Sequence, residues 1–99
     1  MEKQSKTMEF VEKEYYDNGT KVLKSVIRKN ESNQRHGICE WYHPEGQLWR
    51  KIEYQNGLRH GRMDSWRKNR TLEMKVEYEN GYLVEEHFYK DKKKVKLTN

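Results

Sequence analysis

The stretch WYHPEGQLWRKIEYQNGLRHG (residues 41–61) decides the fold, because the chain repeats it 24 residues later. The second copy is SWRKNRTLEMKVEYENGYLVE (residues 65–85), which keeps the Glu-Tyr-x-Asn-Gly run at the same place. The pair His60-Gly61 also occurs 24 residues earlier, as His36-Gly37. Self-similarity at a fixed period is typical of repeat architectures, in which each unit buries apolar surface against its neighbours.

Weaker copies flank the two central ones. Residues 14–30 (EYYDNGTKVLKSVIRKN) carry an aromatic pair, a Gly turn and an apolar strand, and residues 87–97 (HFYKDKKKVKL) keep the aromatics and alternating Val95 and Leu97. Terminal units of such arrays are atypical because they face water. We expect one repeat domain over residues 1–99, with units at roughly 10–37, 38–61, 62–85 and 86–97 and a flexible stretch at 1–8.

Within each unit the apolar residues have a period of two. Leu72, Met74, Val76 and Tyr78 alternate with charged residues, and residues 48–54 alternate in the same way, with Arg50 interrupting the apolar side. Alternation of this kind predicts β-strands, and Asn56-Gly57 and Asn80-Gly81 predict tight hairpin turns. The expected fold is all-β: a single-layer antiparallel meander of about four tandem β-hairpins, up to about eight short strands, with no helix between the termini.

The composition allows only a thin structure. Charged residues make up 37% of the chain and apolar residues 32%, which is too little apolar surface for a thick core, whereas an aromatic fraction of 12% argues against disorder. The net charge of +5 favours acidic partners. Cys39 is the single cysteine, so no internal disulfide is possible and we expect a reducing, cytoplasmic location. No apolar run is long enough for a membrane helix.

These features together resemble the MORN repeat. The resemblance rests on the aromatic pair, the Gly turn, the alternating strand, Asn-Gly and the closing His-Gly, and it covers roughly residues 14–97. It is closest to the variant found in bacterial antitoxin-like proteins and in large DNA viruses. It implies a hairpin array without catalytic apparatus that binds proteins and sometimes lipids. Two departures, Arg70 in place of the Gly46 turn glycine and Val84-Glu85 in place of His-Gly, predict less regular ends for the third unit.

Candidate catalytic and metal-binding residues find little support in the sequence. His36 and His60 share one repeat position beside a glycine, which favours a structural turn contact over metal ligation. Cys39, His43 and Asp64 could supply a nucleophile, a base and an orienting group, but Met63 stands at the repeat position of Cys39 and indicates a half-buried apolar slot instead. We therefore expect no enzyme activity, no catalytic residues, no metal and no cofactor.

Tryptophan and arginine supply the candidate partner-binding residues. Trp49 corresponds to Glu73 and Trp41 to Ser65, so we expect Trp49 on the polar strand face, where the repeat otherwise carries a charge. Exposed Trp beside Arg is typical of binding hot spots. The alternative is that Trp49 packs against a neighbouring repeat. The candidate set is Trp41, Trp49, Arg50, Arg59, Trp66 and Arg67.

Three classes of function remain open from the sequence. The leading one is a protein-binding module, in the manner of an inhibitor, antitoxin or immunity protein. The second is binding of nucleic acid or anionic lipid through Lys90, Lys92, Lys93, Lys94 and Lys96, although lysines on a terminal strand also protect a sheet edge from aggregation. The third is a structural or self-assembling component, including a homo-oligomer, that pairs through its terminal strands.

Overall fold

In the computed structural model, which describes residues 9–19 and 21–91, the chain forms one open antiparallel sheet. Its seven strands lie side by side in sequence order: β1 (Phe10–Tyr15), β2 (Leu23–Lys29), β3 (Gly37–Tyr42), β4 (Leu48–Gln55), β5 (Leu58–Trp66), β6 (Leu72–Glu79) and β7 (Tyr82–Phe88). The described ranges contain no helix. The predicted all-β hairpin meander is confirmed. The expectations for residues 1–8, for a strand with Val95 and Leu97, and for Lys92, Lys93, Lys94 and Lys96 fall outside the described residues.

The sheet is a single elongated layer. Its extents are 68 × 39 × 23 Å and its radius of gyration is 16.9 Å, against about 13 Å for a compact domain of this length. The surface available for binding is therefore two broad sheet faces and two strand edges.

One face carries the core. Cys39 pairs with Ile52, Ile52 with Met63, and Met63 with Val76, so these four side chains form a row across β3 to β6. Each is at most 7% exposed, and Trp41, Tyr54, Met74 and Tyr78 pack against the row. We call this side, with Arg50 and Ser65 in the adjoining row, the aromatic face. The repeat position that Cys39 and Met63 share was expected to be half-buried, and both side chains are fully inside the core row.

The opposite face is built from paired charges. Glu40, Lys51, Asp64, Lys75 and His87 are successive cross-strand partners from β3 to β7. Opposite charges in directly facing positions attract one another. Arg28, Glu53, Arg62 and Glu77 lie on the same side. We call this side the charged face.

The turns are regular at both ends of the sheet. Asn56-Gly57 and Asn80-Gly81 have positive φ at both residues (47° and 88°, 49° and 88°), as two-residue hairpins require. At the other end, Arg70 has φ 72° and donates its N–H to the Arg67 carbonyl at 2.8 Å, as Gly46 does to His43. The expectation of a less regular turn at Arg70 is wrong, because arginine adopts the left-handed conformation there at a cost of about 1–2 kcal/mol.

The two outer strands are exposed along their full length. In β7 the exposed apolar side chains include Tyr82 (77% exposed), Val84 (58%) and Phe88 (68%). The substitution of Val84-Glu85 for His-Gly falls on this strand, beyond which the described residues add no further strand. No helix among the described residues is long and apolar enough to cross a membrane.

Candidate functional site

Each Arg-His-Gly segment holds the hairpin turn of the next unit. His36 Nδ1 accepts the N–H of Asn56 at 3.1 Å, and His60 Nδ1 accepts the N–H of Asn80 at the same distance. The carbonyls of Arg35 and Arg59 accept the N–H of Gly57 and Gly81, both at 2.8 Å. The prediction that His36 and His60 make structural turn contacts is confirmed. Both rings accept at Nδ1, so the neutral tautomer carries its proton on Nε2.

The arginines of these segments lie over aromatic rings of the next unit. Arg35 donates to the Tyr54 hydroxyl at 3.1 Å and its guanidinium carbon lies 5.4 Å from the ring centroid. Arg59 repeats this arrangement on Tyr78, at 2.9 Å and 5.0 Å. Arg35 also lies 5.7 Å from the Trp41 ring. Arg59 is in the candidate set but Arg35 is not, although the shared Arg-His-Gly sequence pointed to it.

Trp49 is the extra residue of a β-bulge. Trp41 pairs with Arg50 and Tyr42 with Leu48, so the register passes over Trp49. Its ring is half-buried, with the Arg50 guanidinium carbon 4.7 Å from its centroid and the His43 ring at 5.6 Å. The expected position on the polar strand face is wrong, because the bulge interrupts the period of two and the indole stacks with an arginine of the aromatic face.

Glu73 occupies the equivalent bulge in the next unit. Ser65 pairs with Met74 and Trp66 with Leu72, which leaves Glu73 between them. Its carboxylate accepts a hydrogen bond from Ser65 Oγ, a fully buried residue of the aromatic face, at 3.1 Å. The sequence alignment of Trp49 with Glu73 was therefore right, and only the face assigned to the pair was wrong.

A second set of contacts joins the turns at the other end of the sheet. Tyr16 donates its hydroxyl to the Tyr42 carbonyl at 2.6 Å, and His43 Nε2 donates to the Trp66 carbonyl at 3.0 Å. Arg67 donates to the Tyr89 carbonyl in the same manner. Three different side chains thus make the same unit-to-unit bond at one repeat position.

The comparisons with known proteins agree with this architecture. Residues 35–56 and residues 70–91 match the family model described as MORN repeat variant. The chain carries MORN repeats. No curated protein and no solved structure matches it. MORN repeats are non-catalytic modules that in general bind proteins or membranes.

The MORN array brings most of the candidate partner-binding residues to one face. Trp41, Trp49 and Arg50 are neighbours on the aromatic face, and Arg59 lies on the same face over Tyr78. Arg67 is held inside its own turn, where it also donates to the Leu72 carbonyl at 3.0 Å. Trp66 is half-buried and lines a shallow depression with Gln47, Leu48 and Arg70. The role of all six in binding stays a prediction.

The residues considered for catalysis are separated by the sheet. Cys39 is fully buried on the aromatic face, whereas Asp64 belongs to the charged face. Burial raises the pKa of the Cys39 thiol above its ordinary value of 9.0, which disfavours the reactive thiolate. Burial, with Glu40 close by, also raises the pKa of Tyr42. The described part of the chain holds no cluster of three or more His, Cys, Asp or Glu residues that could bind a metal ion.

Proposed function

We propose that this MORN array is a non-enzymatic protein-binding module that docks its partner on the aromatic face. The observation that carries the proposal is the contrast between the two faces. One presents half-buried Trp41, Trp49, Tyr54 and Tyr78 beside Arg35, Arg50 and Arg59, and the other presents charges in facing pairs. Aromatic residues and arginine are enriched at protein interfaces and dominate their energetics.

The arginines that lie over the aromatic rings of this face favour protein over nucleic acid as the partner. Binding of single strands relies on aromatic faces that are open for base stacking. Here Arg35 lies over Tyr54, Arg50 over Trp49 and Arg59 over Tyr78. These rings are already covered on one face by a cation, which leaves less ring surface open to a stacked base.

Within the protein-binding class we propose a role as an inhibitor, antitoxin or immunity-like protein. The resemblance to the MORN variant of antitoxin-like proteins supports this choice, as does the long, continuous surface of a repeat array. We further propose a cytoplasmic location, which suits a free, buried cysteine.

Affinity purification from the native cells tests this function. The tagged chain is compared with Trp49→Ala on the aromatic face and with Ile38→Ala, a matched apolar truncation among the exposed residues of the charged face. We expect one protein in near-equal amount, resistant to nuclease, recovered by wild type and Ile38→Ala and depleted with Trp49→Ala. Loss of the recovered material after nuclease treatment, or equal recovery by all three chains, would contradict the proposal.

A further inference from the structure

Three arginines of the aromatic face have no carboxylate partner in the part of the chain that the structure describes. Arg35, Arg50 and Arg59 each lie over an aromatic ring, and none forms an ion pair with another residue of 9–19 or 21–91. On the charged face the arginines are paired: Arg28 with Glu9 at 3.5 Å and Arg62 with Asp64 at 3.3 Å. The arginines of the aromatic face therefore keep N–H donors for an acceptor from outside the described chain.

Arg50 has the strongest need for such an acceptor. Its side chain is half-buried, and its Nε atom is buried without a hydrogen-bond partner among the described residues. A buried N–H donor without an acceptor is destabilising, so an acceptor that binds the Arg50 guanidinium would offset a cost that the free chain carries. A planar guanidinium can donate two parallel hydrogen bonds to one carboxylate. Stacking on the Trp49 ring holds the Arg50 guanidinium in one plane.

The charges around Arg50 favour an anion of this kind. Within β3 to β6, Glu73 is the described acid that contacts the aromatic face, and its carboxylate is engaged by Ser65. Glu40, Glu53, Asp64 and Glu77 lie on the charged face. Between β3 and β6 the aromatic face is therefore positive and bordered by apolar side chains, which is complementary to an acidic side chain flanked by apolar ones. The acids Glu12, Glu14 and Glu86 lie on the same side at its two ends, in β1 and β7.

We propose that the aromatic face binds an acidic segment of a protein partner, with Arg50 holding an Asp or Glu carboxylate and with Arg35 and Arg59 as further anion contacts. The inference rests on the proposed function and names the chemistry of the partner. A membrane surface fits less well, because Arg50 is half-buried in the sheet, whereas lipid-binding cations form exposed clusters.

Selection from a library of random peptides displayed on phage tests the inference without a known partner. The baits are the wild-type chain, Arg50→Gln, and Arg62→Gln as the matched control on the charged face. We expect wild type and Arg62→Gln to enrich peptides with Asp or Glu next to aromatic or aliphatic residues, and Arg50→Gln to lose the acidic preference. The strongest peptide is then synthesised with Glu and with Gln at the enriched position.

The affinities of the two peptides form a double-mutant cycle that separates a direct contact from a change in folding. Glu→Gln in the peptide should weaken binding to wild type about tenfold, the effect of losing one charge-assisted hydrogen bond. The same change should have almost no effect on binding to Arg50→Gln. Full additivity would overturn the carboxylate contact even if Arg50→Gln were destabilised.

The remaining outcomes distinguish the two proposals. Peptides that are not acidic but depend on Trp49 would overturn the carboxylate inference and leave the protein-binding function in place. Failure of wild type to enrich any peptide, or binding that Trp49→Ala leaves unchanged, would overturn both. Binding to phosphatidylserine vesicles that Arg50→Gln abolishes, with no acidic peptide enriched, would assign the arginines to a lipid headgroup instead.

Discussion

At the scale of single residues, one position of the repeat shows how different side chains perform the same task. Tyr16, His43 and Arg67 each donate a hydrogen bond to a carbonyl of the following unit. The three share no chemistry beyond a donor of sufficient reach, so a comparison of residue types could not identify the position. His36 and His60 were recognisable from the sequence because both units use the same residue beside the same glycine.

Tyr16→Phe tests the contribution of this bond. The hydroxyl is lost and the Tyr42 carbonyl loses its donor, so we expect the free energy of unfolding to fall by about 1 kcal/mol. Tyr15→Phe is the matched control, because Tyr15 is adjacent and 52% exposed, and we expect it to change stability by less than about 0.5 kcal/mol. Urea denaturation measures both. Equal effects of the two substitutions would show that the bond contributes nothing specific.

Cys39 provides a probe of the core row. The thiol is fully buried and its pKa is raised by that burial, so both access and thiolate formation are disfavoured in the folded chain. We expect an aromatic disulfide reagent to label Cys39 only as fast as the protein opens, with a rate that rises with urea. Because the folded-state pKa lies above 9.0, the stability due to the buried thiol is present below that pH and lost as the pH rises beyond it.

Rapid labelling in the absence of urea would contradict the burial of this row. A chain with Cys39→Ala serves as the blank for labelling. Wild type should lose more stability than Cys39→Ala as the pH rises above 9.0, because only wild type has the thiol. Urea titrations of both chains below and above this pH measure the difference.

At the scale of strands and turns, the sequence predicted most of the architecture and missed the bulges. Alternation and the Asn-Gly turns were sufficient to place the strands, because both are local signals. The bulges at Trp49 and Glu73 were not predicted. An extra residue in a strand changes the face on which a side chain lies, and no residue type or spacing in the sequence signals it. For the same reason the sequence could not place the Trp49 ring under the Arg50 guanidinium, or show that the Arg50 Nε atom has no hydrogen-bond partner among residues 9–19 and 21–91.

The two equivalent turns at Gly46 and Arg70 permit a paired prediction. Arg70→Gly should raise the free energy of unfolding by about 0.5–1 kcal/mol, because the left-handed backbone is strained for arginine and not for glycine. The gain is smaller than the strain itself, because glycine has a higher chain entropy in the unfolded state. Gly46→Ala should lower it by about 1 kcal/mol or more. A Cβ at Gly46 would meet nothing within 4 Å, so this loss reports backbone strain alone.

Urea titrations of the two variants against wild type provide the measurement. Destabilisation by Arg70→Gly would mean that the contacts of the arginine side chain stabilise the fold by more than the strained backbone destabilises it. The turn would then owe its shape to contacts of the Arg70 side chain and not to the bonds of Arg67 and Thr71.

At the scale of the whole molecule, the single-layer sheet has two faces and two edges that no other described element covers. The composition indicated this thinness, but neither composition nor repeat pattern could identify the binding face, because that depends on which charges find partners across strands. The edge strand β7 carries exposed Leu83, Val84 and Phe88 around the acids Glu85 and Glu86. Charged residues on an edge strand oppose pairing with other chains.

Replacing Glu85 and Glu86 together with Thr should therefore promote association. The change removes two like charges from an apolar edge and adds residues of high β-propensity. We expect light scattering to show a larger mean mass than wild type at equal concentration. The control is Glu77→Thr on the interior strand β6, which should behave as wild type. An unchanged mass for the double variant would mean that features other than Glu85 and Glu86 prevent association through β7.

The most direct test of the central claim, that the aromatic face is the binding face, is an NMR titration of the labelled chain with the protein recovered by affinity purification. The probes are the indole N–H signals of Trp41, Trp49 and Trp66 and the Nε–H signals of the arginines. We expect large shifts for Trp41, Trp49 and Arg50 and small ones for Arg28 and Arg62 on the charged face. Shifts confined to Arg28, Arg62 and their neighbours, or to the edge strand β7, would contradict the claim.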